Sequence, residues 1–125
     1  MPAEVRHVLF RPTEVVSAIA DYYRRMQMPL PPGSVVRSAV EDENGAVRFT
    51  MVVSRDDGSA RQSVTLEGSQ LAAALILFCR DHRVPLPSDS DKSLKKLDDW
   101  LALVVTRNPR QEMLPGIRLM IPSMA

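Results

Sequence analysis

Apolar residues in this chain recur with two different periods. Val15, Val16, Ile19, Tyr22, Tyr23 and Met26 fall on one face of a helix, with Ser17, Asp21, Arg24 and Arg25 opposite. Further on the period drops to two. Val47, Phe49, Met51 and Val53 alternate with Arg48, Thr50, Val52 and Ser54, and Gln62, Val64 and Leu66 alternate with Arg61, Ser63, Thr65 and Glu67. The pattern predicts a strand over Glu4 to Phe10 and a helix capped by Thr13. A strand over Ser34 to Val40 comes next, then a hairpin turn at Asn44-Gly45, where positive φ is tolerated. Two strands of the alternating type follow, and then a second helix from Ser69 to about Arg83.

Both helices are predicted to stop in the same way. Met28-Pro29-Leu30-Pro31 ends the first and Val84-Pro85-Leu86-Pro87 the second. Proline disfavours helix in the residue before it, and two prolines one residue apart favour a stiff extended strut. After the second strut the pattern is ambiguous, since Leu94, Leu97, Leu101 and Val104 suit a helix while Leu101, Leu103 and Val105 suit a strand. The similarity of Met51-Val-Val-Ser-Arg55 to Leu103-Val-Val-Thr-Arg107 decides for strands over Ser93 to Leu97 and Trp100 to Thr106, with Asp98-Asp99 between them.

The chain thus parses as β-α-β-β twice, in pseudo-repeats 4 to 55 and 60 to 107, followed by a C-terminal tail of 108 to 125. The expected fold is α+β: an internally duplicated two-layer sandwich, with two helices on one face of a largely antiparallel sheet. At 125 residues it makes one domain with a core of its own.

A repeated unit provides an internal control. Where the first unit has Ser17 and Asp21 on its helix, the second has Ala73 and Leu77. Where the third strand carries Arg48, Thr50 and Val52, the last carries Trp100, Ala102 and Val104. The more apolar second unit is expected to be covered by something, either the tail with its Met113, Leu114, Ile117, Leu119, Met120 and Ile121 or a protein partner. Ala73, Leu77, Trp100, Ala102 and Val104 are therefore the candidate contact residues. The expected role is a non-enzymatic interaction or regulatory module, either a homodimer or a small adaptor.

Charge and chemistry modify this picture only slightly. Sixteen basic and fifteen acidic residues remove a global electrostatic argument for nucleic acid or anionic membrane. A local argument remains for single-stranded nucleic acid on an outward sheet face carrying Arg48, Arg61, Thr50, Ser63 and Trp100, with Lys92, Lys95 and Lys96 beside it. An enzymatic alternative would use His7, placed on the outward side of the first strand near Ser63 and Thr65, although no carboxylate is spaced to orient it. His82 is expected on the core-facing stripe of its helix and Cys79 in the core, both in packing roles. The acidic runs Glu41-Asp-Glu43 and Ser88-Asp-Ser-Asp91 lack the spacing of a calcium loop, so no metal or cofactor is expected. A lone cysteine, the lack of a basic and apolar leader, and no long apolar run lead to the expectation of a cytoplasmic protein without membrane contact.

Overall fold

The alternating segments all form strands, and the 3.6-period segments form two helices of 14 residues each. A computed structural model describes residues 3 to 107, and the C-terminal tail lies outside the described residues. The order is β1 (Glu4–Phe10), α1 (Pro12–Arg25), β2 (Ser34–Glu43), β3 (Ala46–Ser54), β4 (Arg61–Glu67), α2 (Gly68–Asp81), β5 (Asp91–Leu97) and β6 (Trp100–Arg107). The stretch that also suited a helix is a hairpin.

The helix starts differ from expectation. Arg11, not Thr13, is the N-cap of α1; Pro12 takes the first helical position, and the Glu14 carboxylate accepts the Arg11 backbone N–H at 2.9 Å. Strand β4 runs straight into α2 without a loop, so Glu67 rather than Ser69 precedes the helix. Gly68 makes the corner at φ +58°. Both helices end in the same hydrogen-bonded turn. Met28 N–H reaches Tyr23 O at 2.9 Å and Val84 N–H reaches Cys79 O at 2.8 Å, with Gln27 and Arg83 in the left-handed conformation. The Pro-Leu-Pro struts follow, and Leu30 and Leu86 pack against the core.

The strands are all antiparallel and lie in two three-stranded sheets, ordered β1-β6-β5 and β2-β3-β4. Each sheet is built from both units, because the first strand of either unit pairs with the last strand of the other. The two crossed pairings share one register: Phe10 opposes Leu101 and Val8 opposes Leu103, while Leu66 opposes Phe49 and Val64 opposes Met51. The units differ mainly in hairpin length. β2 pairs with β3 out to Glu43 and Ala46, whereas β5 and β6 turn at Leu97 and Trp100.

The helices pack on each other and on the inward rows of both sheets. Ile19, Leu71, Leu75, Phe49, Leu101 and Leu103 are among the residues fully enclosed there. The Arg25 guanidinium donates to the Asp81 carboxylate, tying the C-terminal ends of the two helices together. No helix among the described residues is long and apolar enough to cross a membrane.

Candidate interaction surface

Leu101, Leu103 and Val105 of β6 are buried in the core, so the alternation of the strand turns Trp100, Ala102, Val104 and Thr106 to the other side. The pairings of the sheet place neighbours beside each of them. Ala102 lies between Leu9 on β1 and Lys95 on β5, and Val104 lies between His7 and Ser93. Thr106 lies between Val5 and Asp91, and Trp100 faces Leu97 across the hairpin. Beyond the end of β1, the Arg11 guanidinium sits 5.6 Å from the centre of the Trp100 ring. Val5 is 60% exposed, Leu9 47% and Trp100 36%. Ala102, flanked by Leu9 and Lys95, is completely buried yet outside the core cluster.

The corresponding face of the other sheet is more polar, although its central row also carries Val52 between Arg37 and Ser63, and Val36 at the irregularity of β2 is exposed. Thr50 lies between Ala39 and Thr65, and its hydroxyl is 3.0 Å from that of Thr65. Arg48 lies between Glu41 and Glu67, donating to Glu41 at 3.1 Å with Glu43 at 3.7 Å. The hydrogen bond to Glu41 and the field of the nearby carboxylates raise the affinity of this guanidinium for its proton above the ordinary arginine value. One sheet thus presents Trp100, Leu9, Leu97, Val5 and Val104 where the other presents the ion-paired Arg48, Thr50, Thr65 and Val52.

Of the five residues singled out in the sequence, Trp100, Ala102 and Val104 share this face. Ala73 and Leu77 do not. They lie on α2, in the helical layer on the core side of the sheets, and both pack part of their surface against the core. The expectation that the apolar residues of the second unit are covered is only half met on α2. Leu71, Ala74, Leu75 and Cys79 are buried, while Ala73, Ile76, Leu77 and Phe78 are half-buried. Val5 and Leu9 belong to the surface but were missed, because the partner of β1 cannot be read from its own sequence.

The residues of the nucleic-acid alternative are divided rather than gathered. Arg48 and Arg61 are on the β2-β3-β4 sheet, whereas Trp100 and Lys95 are on the outer face of the β1-β6-β5 sheet. Lys92 and Lys96 alternate to the helical side with Leu94, and the Lys92 ammonium donates to the Pro87 carbonyl at 3.2 Å and the Ser90 carbonyl at 3.3 Å. The reason is that the six strands form two sheets rather than one, with β3 and β4 in one and β5 and β6 in the other.

His7 is exposed and opposes Val104, while Ser63 and Thr65 oppose Val52 and Thr50 in the other sheet, so the expected neighbourhood does not form. His82 lies past the last turn of α2, beyond the reach of the apolar stripe. It is exposed rather than core-facing, stacked on Phe78 at 3.9 Å between ring centres, with Nδ1 2.9 Å from the Phe78 carbonyl oxygen. Cys79 is buried as expected, and burial pushes its thiol up against a smaller opposing pull from Arg6. Of the acidic runs, Glu41 and Glu43 serve Arg48, and Asp89 lies 3.5 Å from the Arg107 guanidinium. No group of three or more metal-binding side chains converges among the described residues. Compared with protein-family models, curated proteins and solved structures, the chain matches none of them, and the chemistry of its own surfaces is what speaks for its function.

Proposed function

We propose that the chain is a non-enzymatic interaction module whose working surface is the outer face of the β1-β6-β5 sheet, and that a second copy of the chain is its partner. The observation that carries this reading is the exposure of Val5, Leu9 and Trp100 on one face, where the matching face of the other sheet carries the ion-paired Arg48 and the hydrogen-bonded Thr50 and Thr65 beside Val52. The comparison treats the two β-α-β-β units as copies of one ancestor, a reading supported by their shared register. Fully covering an exposed large apolar side chain is worth about 1.5–3 kcal/mol, so burying the exposed parts of these three favours association. Trp and Arg are also the side chains that dominate binding energy at interfaces, and here they lie together as Trp100 and Arg11.

Charge favours a second copy as the partner. Lys95 and Asp91 lie on β5 on either side of Ser93. A two-fold axis lying in the face along the His7, Val104 and Ser93 row sets Lys95 of one copy against Asp91 of the other, and Leu9 against Val5. Such self-complementarity is what a closed dimer requires.

Sedimentation equilibrium tests it. The full chain is expected to run as a dimer, and Leu9→Asp or Trp100→Ser to run as monomers with their folds intact by circular dichroism. Lys95→Asp and Asp91→Lys should each weaken the dimer, and the two together should restore it. A strictly monomeric protein at tens of micromolar, or a dimer indifferent to Leu9→Asp and Trp100→Ser, overturns the reading.

A further inference from the structure

On the helical side of the molecule, α2 leaves Ala72, Ala73 and Ile76 half-buried beside β5 and the second strut. Two depressions meet at Ile76. One, of about 640 Å³, is bounded by the N-terminal half of α2, the β2-β3 turn and Lys92 to Leu94; the other, of about 390 Å³, is bounded by Arg80, Arg83, Val84, Pro85 and Leu86. Together they form an open apolar groove along the helix with basic groups at one end. The Arg6 guanidinium joins that end by donating to the carbonyl of Pro85.

These arginines differ from their counterparts in the first unit. Arg24 corresponds to Arg80 and pairs with Asp21 at 2.9 Å, but the residue in place of Asp21 is Leu77. Neither Arg80 nor Arg83 forms an ion pair with a described residue, and the nearby Asp81 is already held by Arg25. A cation in the last turn of a helix complements its dipole, which accounts for Arg80. It does not account for Arg83, which lies beyond the helix and lines the depression with Ile76, Val84 and Leu86.

We infer that this groove binds an acidic peptide segment of a partner protein, seating an apolar side chain over Ile76 and Leu86 and its carboxylates on Arg80, Arg83 and Arg6. A nucleic acid fits less well. The residues lining the groove include no aromatic ring on which a base could stack, the Lys92 ammonium away from the arginines already donates to the Pro87 and Ser90 carbonyls, and Glu67 lines the same depression as Lys92. The site is separate from the outer sheet face, and does not depend on the self-association proposed there.

The test is fluorescence anisotropy with three fluorescein-labelled probes on the full-length protein: a hexapeptide Asp-Asp-Leu-Leu-Asp-Asp, the same peptide with both leucines replaced by alanine, and an oligo-dT of similar charge. The leucine peptide is expected to bind, and to bind roughly tenfold more weakly to an Arg80→Glu/Arg83→Glu double variant, as removal of matched charge at an interface does. Its affinity should fall with added salt and with the alanine replacement. Ile76→Glu, which leaves the arginines in place, should abolish binding, and unchanged melting of all variants confirms that they fold. Binding of the two peptides with equal affinity, no effect of the charge reversal, or binding of oligo-dT in preference to either peptide overturns the inference. The Trp100→Ser monomer should bind the leucine peptide as well as the parent does, which separates failure here from failure of the dimer.

Discussion

Gly33, at the end of the first strut, has the least freedom to change of any glycine in the described chain. It has φ +128°, and a Cβ built on it would meet the carbonyl oxygen of Ser54 at 2.1 Å. The obstacle is backbone, so nothing flexible can move aside. Gly33→Ala is expected to cost at least about 2 kcal/mol, combining conformational strain with displacement of the β3 end. Gly58 isolates the first of these effects. Its φ is +73° with open space around it, so Gly58→Ala should cost only about 1 kcal/mol. Urea denaturation of the two variants measures the difference, and equal losses would mean that the contact with Ser54 does not constrain the fold.

Cys79 gives a second residue-level prediction, with a definite sign. Burial raises its thiol above the ordinary value, so between the unfolded and folded values the unfolded chain releases a proton that the native state keeps. The contribution is fully present below the unfolded thiol value of about 8.5 and is lost as pH rises above it. Stability should therefore fall more steeply between pH 7 and pH 10 in the parent than in Cys79→Ala. Denaturation midpoints measured across that range would show parallel curves if the thiol carried no linkage.

At the level of elements, the strands were legible wherever one face is buried, because period two then appears in the residues themselves. Val47 to Val53 is the clear case. β5 and β6 were harder because Leu101 fits either period, with Leu94, Leu97 and Val104 on a helical stripe and Leu103 and Val105 on a strand face, and only the likeness of β6 to β3 decided the assignment. Helix bodies were legible, but their first residues were not. Thr13 and Ser69 are good caps in isolation, yet Pro12 starts one helix two residues earlier and Gly68 lets a strand turn directly into the other. Strand pairing is where the sequence was silent. The alternation in β1 says which of its residues share a side but not that the side lies against β6, so Trp100, Ala102 and Val104 were legible as surface candidates while Val5 and Leu9 were not. The same silence brought Arg48 and Trp100 onto one imagined platform, when they belong to different sheets.

For the whole molecule the crossed pairing has an energetic consequence. Among the described residues β1 hydrogen-bonds only to β6 and β4 only to β3, so neither β-α-β-β unit contains a complete sheet. Unfolding one unit strips an edge strand from the sheet of the other and also removes one of two helices that pack on each other. Neither half retains enough buried surface to persist alone, so the described fold should unfold in one step. Phe49 tests this from one side. It is fully enclosed in the β2-β3-β4 sheet, opposite Leu66, and Phe49→Ala should cost about 3–5 kcal/mol through lost burial and the cavity left behind. If the units are one cooperative structure, amide protons of β6, in the other sheet, lose the same protection against hydrogen exchange as those of β3. Loss confined to β3 and its neighbours, or a second transition in urea, would show that each sheet holds itself together and that the crossed strands are only an attachment.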